Sequence, residues 1–468
     1  MMLLKPINNA LLGAGLFSFC ALAGAAPRAS VVGVESPGGD AYATSINASG
    51  QTAGYVYDYN TRSTFAFLSA GGTLQNLGSL GASSSYSAAH GVNALGQVAG
   101  DFYLTADQQH AFVYANGAMR DLGTLGGTQS AASGINDAGQ VVGSSTTSTG
   151  NYQAFVYANG SMQALGVLAS GGHSFATGIN NSGQVTGFAT VADGNFHAFR
   201  YAGGTMQDLG TLGGAWSAGH AINASGQVVG DASTVGNSAF HAFVYTDGVM
   251  QELGTLGGAN STAQGINASG QVVGRAETNG SSMSPTLWNG GVAYDLSTWV
   301  PAGAFLVDAT SINDLAQVAV TGYLNGTWRA MVLTLHPDWQ GGNGNWSDAS
   351  HWNFAGMGNF GINPGAPHDV VINPTGSATV WGPMDAAIKS LAVSGAGSNL
   401  VTLNLNSGNI YAQNGTTLGA NGTVAGNGRL AGDLARLLPS HAERDLEAHT
   451  ARQGDFVFAT STVAEQEE

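Results

Sequence analysis

The stretch INASGQVVG occupies residues 222–230 and returns letter for letter at 266–274, with INASGQTAG at 46–54. Its asparagine heads a series: Asn47, Asn93, Asn136, Asn180, Asn223, Asn267 and Asn313, spaced by 46, 43, 44, 43, 44 and 46 residues. A period this even is the mark of a repeat architecture. Each unit carries four apolar runs, as in SAASGIN (130–136), QVVGS (140–144), QAFVYA (153–158) and MQALG (162–166). Asn136-Asp-Ala-Gly139 joins the first pair: an asparagine that can hydrogen-bond the backbone ahead of it, then a glycine free to take a positive φ. Asn-Gly at 116–117 and 159–160 and Asp-Gly at 247–248 join the second pair and are strong hairpin signals. Each unit therefore reads as a four-stranded antiparallel meander. The runs AFVY and QVV do not alternate with polar residues, so their strands are covered on both faces, as in sheets stacked face to face.

The two ends of the array complement one another. Ser30-Val-Val-Gly-Val-Glu35 fills the place of a fourth strand before the first unit. The seventh unit, with QVAVTG (317–322) and WRAMVLTL (328–335), stops one strand short. Pairing Val31–Val34 beside Met331 would close seven sheets into a ring and remove two exposed edges. The expected fold is all-β: a seven-bladed β-propeller over 30–335 with blades of about 44 residues. Ala316 replaces the turn glycine in the last unit, and Ala330-Met331 replaces Ala-Phe.

HAFVY at 110–114 and 241–245, HAFRY at 197–201, DLGTLGG at 121–127 and 208–214, and the GIN…GQVVG pattern resemble the bacterial extracellular HAF repeat family. The resemblance covers about residues 31–335. It implies an exported repeat protein, often of Gram-negative bacteria, with no established activity.

After His336-Pro337 the character changes. WQGGNGNWSDASHWN (339–353) is similar to the opening of β-strand-rich modules in autotransporter-like and surface-anchored bacterial proteins. Short strands DVVI (369–372), ATVW (378–381), SLAVS (390–394) and VTLNL (401–405), separated by Gly, Asn and Pro, point to a small β-solenoid over 338–432. The tryptophans 339, 346 and 352 read as a buried cap on that module, with exposed glycan-binding rings as the alternative. Residues 433–468 are far more charged than the rest and read as a loosely ordered tail. At the other end, Lys5, the apolar run 10–22 and the small residues Ala21 to Ala25 read as a signal peptide over 1–25, too short to span a membrane. Cys20, the only cysteine, falls inside it. The mature chain then has no disulfide, so the repeat core must hold it together.

The net charge of −16 argues against nucleic acid and anionic membrane partners. No HExxH pair, nucleophile elbow or phosphate loop appears, and no cofactor, metal or catalytic residue is expected. Positions shared by all units, the anchor Asn and the following Gln, serve the unit itself, because a catalytic residue is needed once. The place three residues before each anchor is polar but variable: Thr44, His90, Ser133, Thr177, His220, Gln264 and Thr310. If the first strand is innermost, these are the candidates to line a central channel and bind a ligand. The loops after the second strands vary most, and Tyr55, Tyr57, Tyr59, Phe102 and Tyr103 there are candidate contact aromatics. The leading expectation is a non-enzymatic, secreted or cell-surface scaffold binding glycans or surface proteins. Two alternatives stand beside it: a polysaccharide hydrolase or lyase, with Asp101, Asp231, His90 and His220 as the residues to inspect, and a purely structural surface or matrix component.

Overall fold

The computed structural model describes residues 29–36, 38–80, 86–383, 385–405, 407–426, 428–432, 434–436 and 455–457. The expected signal peptide lies outside them, as does the tail apart from two three-residue strands.

Residues 29–335 form a seven-bladed β-propeller of four-stranded antiparallel sheets. Blades 1 to 6 span 39–76, 87–121, 126–166, 174–208, 213–252 and 257–295. Each runs in chain order from its first strand to its fourth. Blade 7 takes three strands from Ala304–Ile312, Gln317–Leu324 and Thr327–Leu335, and its fourth is the N-terminal strand Ala29–Gly33. Ala29 faces Leu335 and Gly33 faces Met331 in that pairing, so the ring is closed by the two ends of the array, as expected.

The repeated letters have physical reasons. The phenylalanine of each HAF-type run, such as Phe112, Phe155, Phe199 and Phe243, is fully buried between blades, and burial of each contributes about 2–3 kcal/mol. Its ring lies over the glycine that ends the QVVG run: a Cβ on Gly100 would sit 2.8 Å from the Phe112 ring and 2.0 Å from the Ala88 carbonyl oxygen. The alanine before each phenylalanine has a backbone N–H where the fourth strand has ended. A buried serine of the next blade accepts it, as Ser130 Oγ does from Ala111 N at 2.9 Å. That serine donates in turn to Gly123 O. Ser87, Ser174 and Ser217 repeat the arrangement. The alanine N–H, which would otherwise be orphaned, is thus satisfied at these seams.

The anchor asparagines do more than make turns. The Oδ1 of Asn180 accepts from the backbone N–H of Ser182 and Gln184. Its Nδ2 donates to Gln184 Oε1 at 2.7 Å and to the backbone carbonyl of Asn223, one blade onward, at 2.9 Å. The inter-blade bond recurs at every seam: Asn47 to Asn93, Asn93 to Asn136, Asn136 to Asn180, Asn223 to Asn267, Asn267 to Asn313, and Asn313 back to Asn47 at 3.0 Å. The seven asparagines form a closed cycle of hydrogen bonds around the axis. A shallow pit of about 240 Å³ marks its centre on the face of the first turns, called the asparagine face below.

Residues from Pro337 onward build a three-sided solenoid of parallel strands. One sheet stacks Pro337–Trp339, Asp369–Ile372, Ser390–Val393, Thr416–Leu418 and Leu434–Arg436; the second stacks Gly344–Asn345, Ala378–Trp381, Val401–Asn404 and Gly422–Ala425. The third stacks Asp385–Ile388, Asn409–Ala412 and Arg429–Ala431, with Asp455–Val457 added antiparallel. Inward residues such as Ile372, Val393, Val380, Leu403, Ile388 and Ile410 fill its core. Trp339, Trp346 and Trp352 are all buried and packed edge to face at 5.0 Å, so they are a cap and not a glycan platform. They belong to one apolar cluster with blade 7.

The solenoid is pinned to the asparagine face. Asn289 Nδ2 donates to Met357 O and Asn359 O, and His368 Nε2 donates to Leu315 O at 2.7 Å. His368 Nδ1 accepts from Gly365 N at 2.8 Å. With both ring nitrogens engaged in this way the imidazole is neutral, and burial pushes it down to about 4. Burial also lowers His336, which packs beside Asp369 and Lys389.

Blade 7 carries the turn that departs from the repeat. Ala316 takes φ 52°, a left-handed conformation that glycines occupy in the other blades. A Cβ at Gly50 or Gly226 would meet the preceding blade's glutamine Oε1 at 2.8 Å. At the other equivalent glycines that distance runs from 3.2 to 3.7 Å, so by the same symmetry the place of the Ala316 methyl is beside that of Gln271. That glutamine has left its asparagine: Nε2 donates to Asn289 Oδ1 and to Phe360 O at 3.1 Å, and its Oε1 has no partner.

Two outcomes follow. Asn180→Ala removes four hydrogen bonds from a buried site and should lower unfolding free energy by about 3 kcal/mol, measured by urea denaturation. For His368, the unfolded chain binds a proton below its ordinary value of about 6.5, whereas the folded chain resists until about 4. The stabilisation is therefore complete above 6.5 and is lost as pH falls from 6.5 to 4. Denaturation midpoints at pH 7 and 4.5 should show that fall, and His368→Gln should reduce it.

Candidate functional site

The first strands are innermost, and every one has a β-bulge at the same place. The register slips between Ala43 and Ser45, Ala89 and Gly91, Ala132 and Gly134, Ala176 and Gly178, Gly219 and Ala221, Ala263 and Gly265, and Ala309 and Ser311. The skipped residues are Thr44, His90, Ser133, Thr177, His220, Gln264 and Thr310, the variable polar place of the sequence. A bulge re-aims its extra residue. Here the three threonines turn to the seam and not to a channel. Thr44 Oγ1 donates to Ala53 O and, across the seam, to Ala89 O. Thr177 reaches Gly219 O, and Thr310 reaches Ala43 O. Expected as channel lining, they are inter-blade ties. All seven are half-buried, and none lines the axial pit, which is walled by the anchor asparagines and their immediate neighbours.

The two histidines use the same place differently. His90 Nε2 lies 2.5 Å from Asp101 Oδ1, and His220 Nε2 lies 2.5 Å from Asp231 Oδ1. Asp101 is buried and also accepts from Gln109 Nε2 at 2.6 Å; Asp231 accepts from Thr262 Oγ1 of blade 6. The imidazole is the more exposed member of each pair. Each pair closes within its own blade, so the structure does not bring His90 and His220 together. Among the described residues no group of three or more His, Cys, Asp or Glu could hold a metal ion.

The histidines of the HAF runs are also structural. His110 Nδ1 meets Asp121 and His197 Nδ1 meets Asp208, each tying a third strand to its fourth. His241 spans Glu252 at 2.7 Å and the Ala259 carbonyl.

The opposite end of the propeller, the loop face, carries the connections between second and third strands and between blades. Of the loop aromatics expected from sequence, Tyr57, Tyr59 and Tyr103 are exposed there, Tyr59 most at 58%. Tyr59 donates its hydroxyl to Asp40, which pushes the phenol up to about 12. Tyr55 is half-buried and stacked on Tyr42 at 4.9 Å. Phe102 is a correction: it is fully buried between blades 1 and 2, because its side of the second strand faces the neighbouring sheet. Sequence reasoning passed over Phe240, Phe305 and Tyr323, which are 44%, 61% and 43% exposed at the same end. A signal was available for Phe305 and Tyr323, which stand at loop-face ends of strands in a unit that departs from the common letters, whereas Phe240 directly precedes the repeated HAFVY in a unit that keeps them. Trp216 packs edge to face on Phe240, and Tyr323 on Trp328.

Removing the His90 imidazole leaves the Asp101 carboxylate buried with one fewer donor. His90→Leu should cost about 1–3 kcal/mol, read from the thermal midpoint; Tyr103→Ala, on the exposed rim of the same blade, should shift it little.

No family model and no curated protein matches the chain. Solved structures similar to it include the β-propeller domain of the trilobed protease from Pyrococcus furiosus, at 8% identity and a TM-score of 0.42, covering 63% of this chain and 95% of that one. TolB from Acinetobacter baumannii is similar at 13% identity and a TM-score of 0.35, covering 61% and 64%. The Aleuria aurantia lectin is similar at 14% identity and a TM-score of 0.31, covering 59% and 98%.

Proposed function

We propose that this chain is an exported, non-enzymatic binding scaffold of the HAF-repeat type, which meets glycans or surface proteins through the loop face of its propeller. One observation carries the reading. Among the described residues, the exposed aromatic side chains of the propeller are Tyr57, Tyr59, Tyr103, Phe240, Phe305 and Tyr323, and all lie at the loop end. The asparagine end exposes none and is partly covered by the solenoid. Rigid blades presenting variable, aromatic loops at one end form a recognition surface, because an aromatic ring offers large contact area with little side-chain entropy to lose. No helix among the described residues is long and apolar enough to cross a membrane.

The hydrolase or lyase alternative needs two carboxylates flanking one bond. Asp101 and Asp231 come from blades 2 and 5 and each is committed to a histidine of its own blade, which favours binding over hydrolysis. The test is a glycan array and a surface-protein panel with the purified mature chain. Retention should drop at least several-fold when Tyr59, Phe240 and Phe305 are changed together to Ala, with the thermal midpoint preserved. Retention unaffected by the triple change would overturn the loop-face reading, and cleavage of any array glycan would restore the enzyme.

A further inference from the structure

A second, unrelated recess lies on the asparagine face. A cleft of about 670 Å³ opens between blades 5 and 6 and is roofed by Asn359–Gly361 of the solenoid. Its walls include Gln227, Gln251, Glu252, Gln271, Trp288 and Asn289. The cleft sits where the repeat is broken twice, and each break leaves a buried polar atom unpaired.

The first break is in the seam itself. A glutamine of one fourth strand reaches a tyrosine hydroxyl of the next blade in two other seams: Gln75 Nε2 donates to Tyr114 OH at 2.9 Å, and Gln207 Nε2 to Tyr245 OH at 3.1 Å. Between blades 5 and 6 the equivalent residues are Gln251 and Trp288. An indole has no hydroxyl to accept that bond. Trp288 is 1% exposed, and its Nε1 has no partner. The second break is Gln271, displaced opposite Ala316 and turned to Phe360 O. It is 2% exposed, and its Oε1 has no partner. A donor without an acceptor and an acceptor without a donor thus belong to walls of one cleft. Native proteins rarely leave such atoms unserved.

From this we infer that the cleft is a binding site for a neutral sugar, of one or two pyranose units. The volume is within the usual range of small-ligand pockets, about 300–1,000 Å³. The lining is dominated by carboxamides, which both donate and accept, and its one carboxylate, Glu252, is already matched by His241 at 2.7 Å. A sugar hydroxyl donates and accepts at once, so hydroxyls of one ligand can serve both Gln271 Oε1 and Trp288 Nε1. A peptide backbone could supply the same pair of roles, but Gln227 and Asn289 are already engaged within the protein, and the compact set left, Gln251 with Gln271 Oε1 and Trp288 Nε1, suits hydroxyls that each donate and accept. The inference is independent of the loop-face reading, because the two surfaces are at opposite ends of the propeller.

The full mature chain is titrated with glucose, galactose, mannose, N-acetylglucosamine and their common disaccharides, following heat and tryptophan fluorescence. At least one should bind saturably and perturb Trp288 emission. Trp288→Phe, which keeps the ring and removes the donor, should weaken that sugar about tenfold, the effect of one lost hydrogen bond. Gln251→Ala, at the outer wall, should also weaken it, and serves if the tryptophan variant fails to fold. The Tyr59, Phe240, Phe305 triple variant should leave this binding unchanged. No saturable binding across the panel, or binding indifferent to Trp288→Phe and Gln251→Ala, overturns the site. Saturation by a glycylglycine dipeptide in place of every sugar overturns the ligand class.

Discussion

The seven-membered cycle of asparagine side chains is the constraint on which the propeller depends. A ring of sheets must solve two problems: what fixes the angle between neighbours, and what makes the last blade meet the first. Apolar packing between blades is non-directional and would tolerate six or eight as readily as seven. The carboxamide of each anchor is directional. It holds its own turn through Oδ1 and the next blade's turn through Nδ2. The step from one blade to the next is therefore set at the axis by the same side chain that makes the hairpin. The bond from Asn313 to Asn47 shows that seven such steps return to the start. The strand pairing of Ala29–Gly33 then seals at mid-blade what the asparagines set at the centre.

This economy explains what could be read from the letters and what could not. A residue that performs the same task in every blade recurs at a fixed period, so the meander, the blade number and the closing strand were legible. The inter-blade reach of Asn180 was not. Turn chemistry accounts for the asparagine without it, and the sequence holds no sign that the same amide has a second partner 43 residues away. The bulge was hidden for a related reason. The place of Thr44 and His90 was recognised as polar and variable, but its direction depends on a register slip, which changes where a side chain points without changing its letter. Phe102 shows the converse: its place next to a variable loop looked like exposure, while its parity along the strand put it in the core.

The solenoid changes the meaning of the symmetry. A free propeller has seven equivalent seams, and the repeated serines, histidines and glutamines use up most of the polar groups that a seam offers. Nothing is left over for a ligand where every group has its counterpart. Docking a parallel solenoid on blades 6 and 7 makes two seams unlike the others, through Asn289, His368 and the tryptophan-capped cluster shared with blade 7. Departures from the repeat concentrate there: an alanine in a left-handed turn, a glutamine withdrawn from its asparagine, a tryptophan in a tyrosine's place.

Those departures are costly taken singly. An alanine at φ 52° costs on the order of 1 kcal/mol relative to glycine, and an unpaired buried donor or acceptor costs about 1–3 kcal/mol. The compensations visible in the structure are partial. Gln271 recovers a bond to Phe360, which helps hold the solenoid, and Trp288 gains burial that a tyrosine would not match. Neither serves the two orphaned atoms. In a chain that repeats its solutions so faithfully elsewhere, the places where an arrangement satisfied in other seams is abandoned are where a single, non-repeated task is to be sought. The loop face varies because nothing in the blade constrains it. The cleft under Phe360 varies against the constraint.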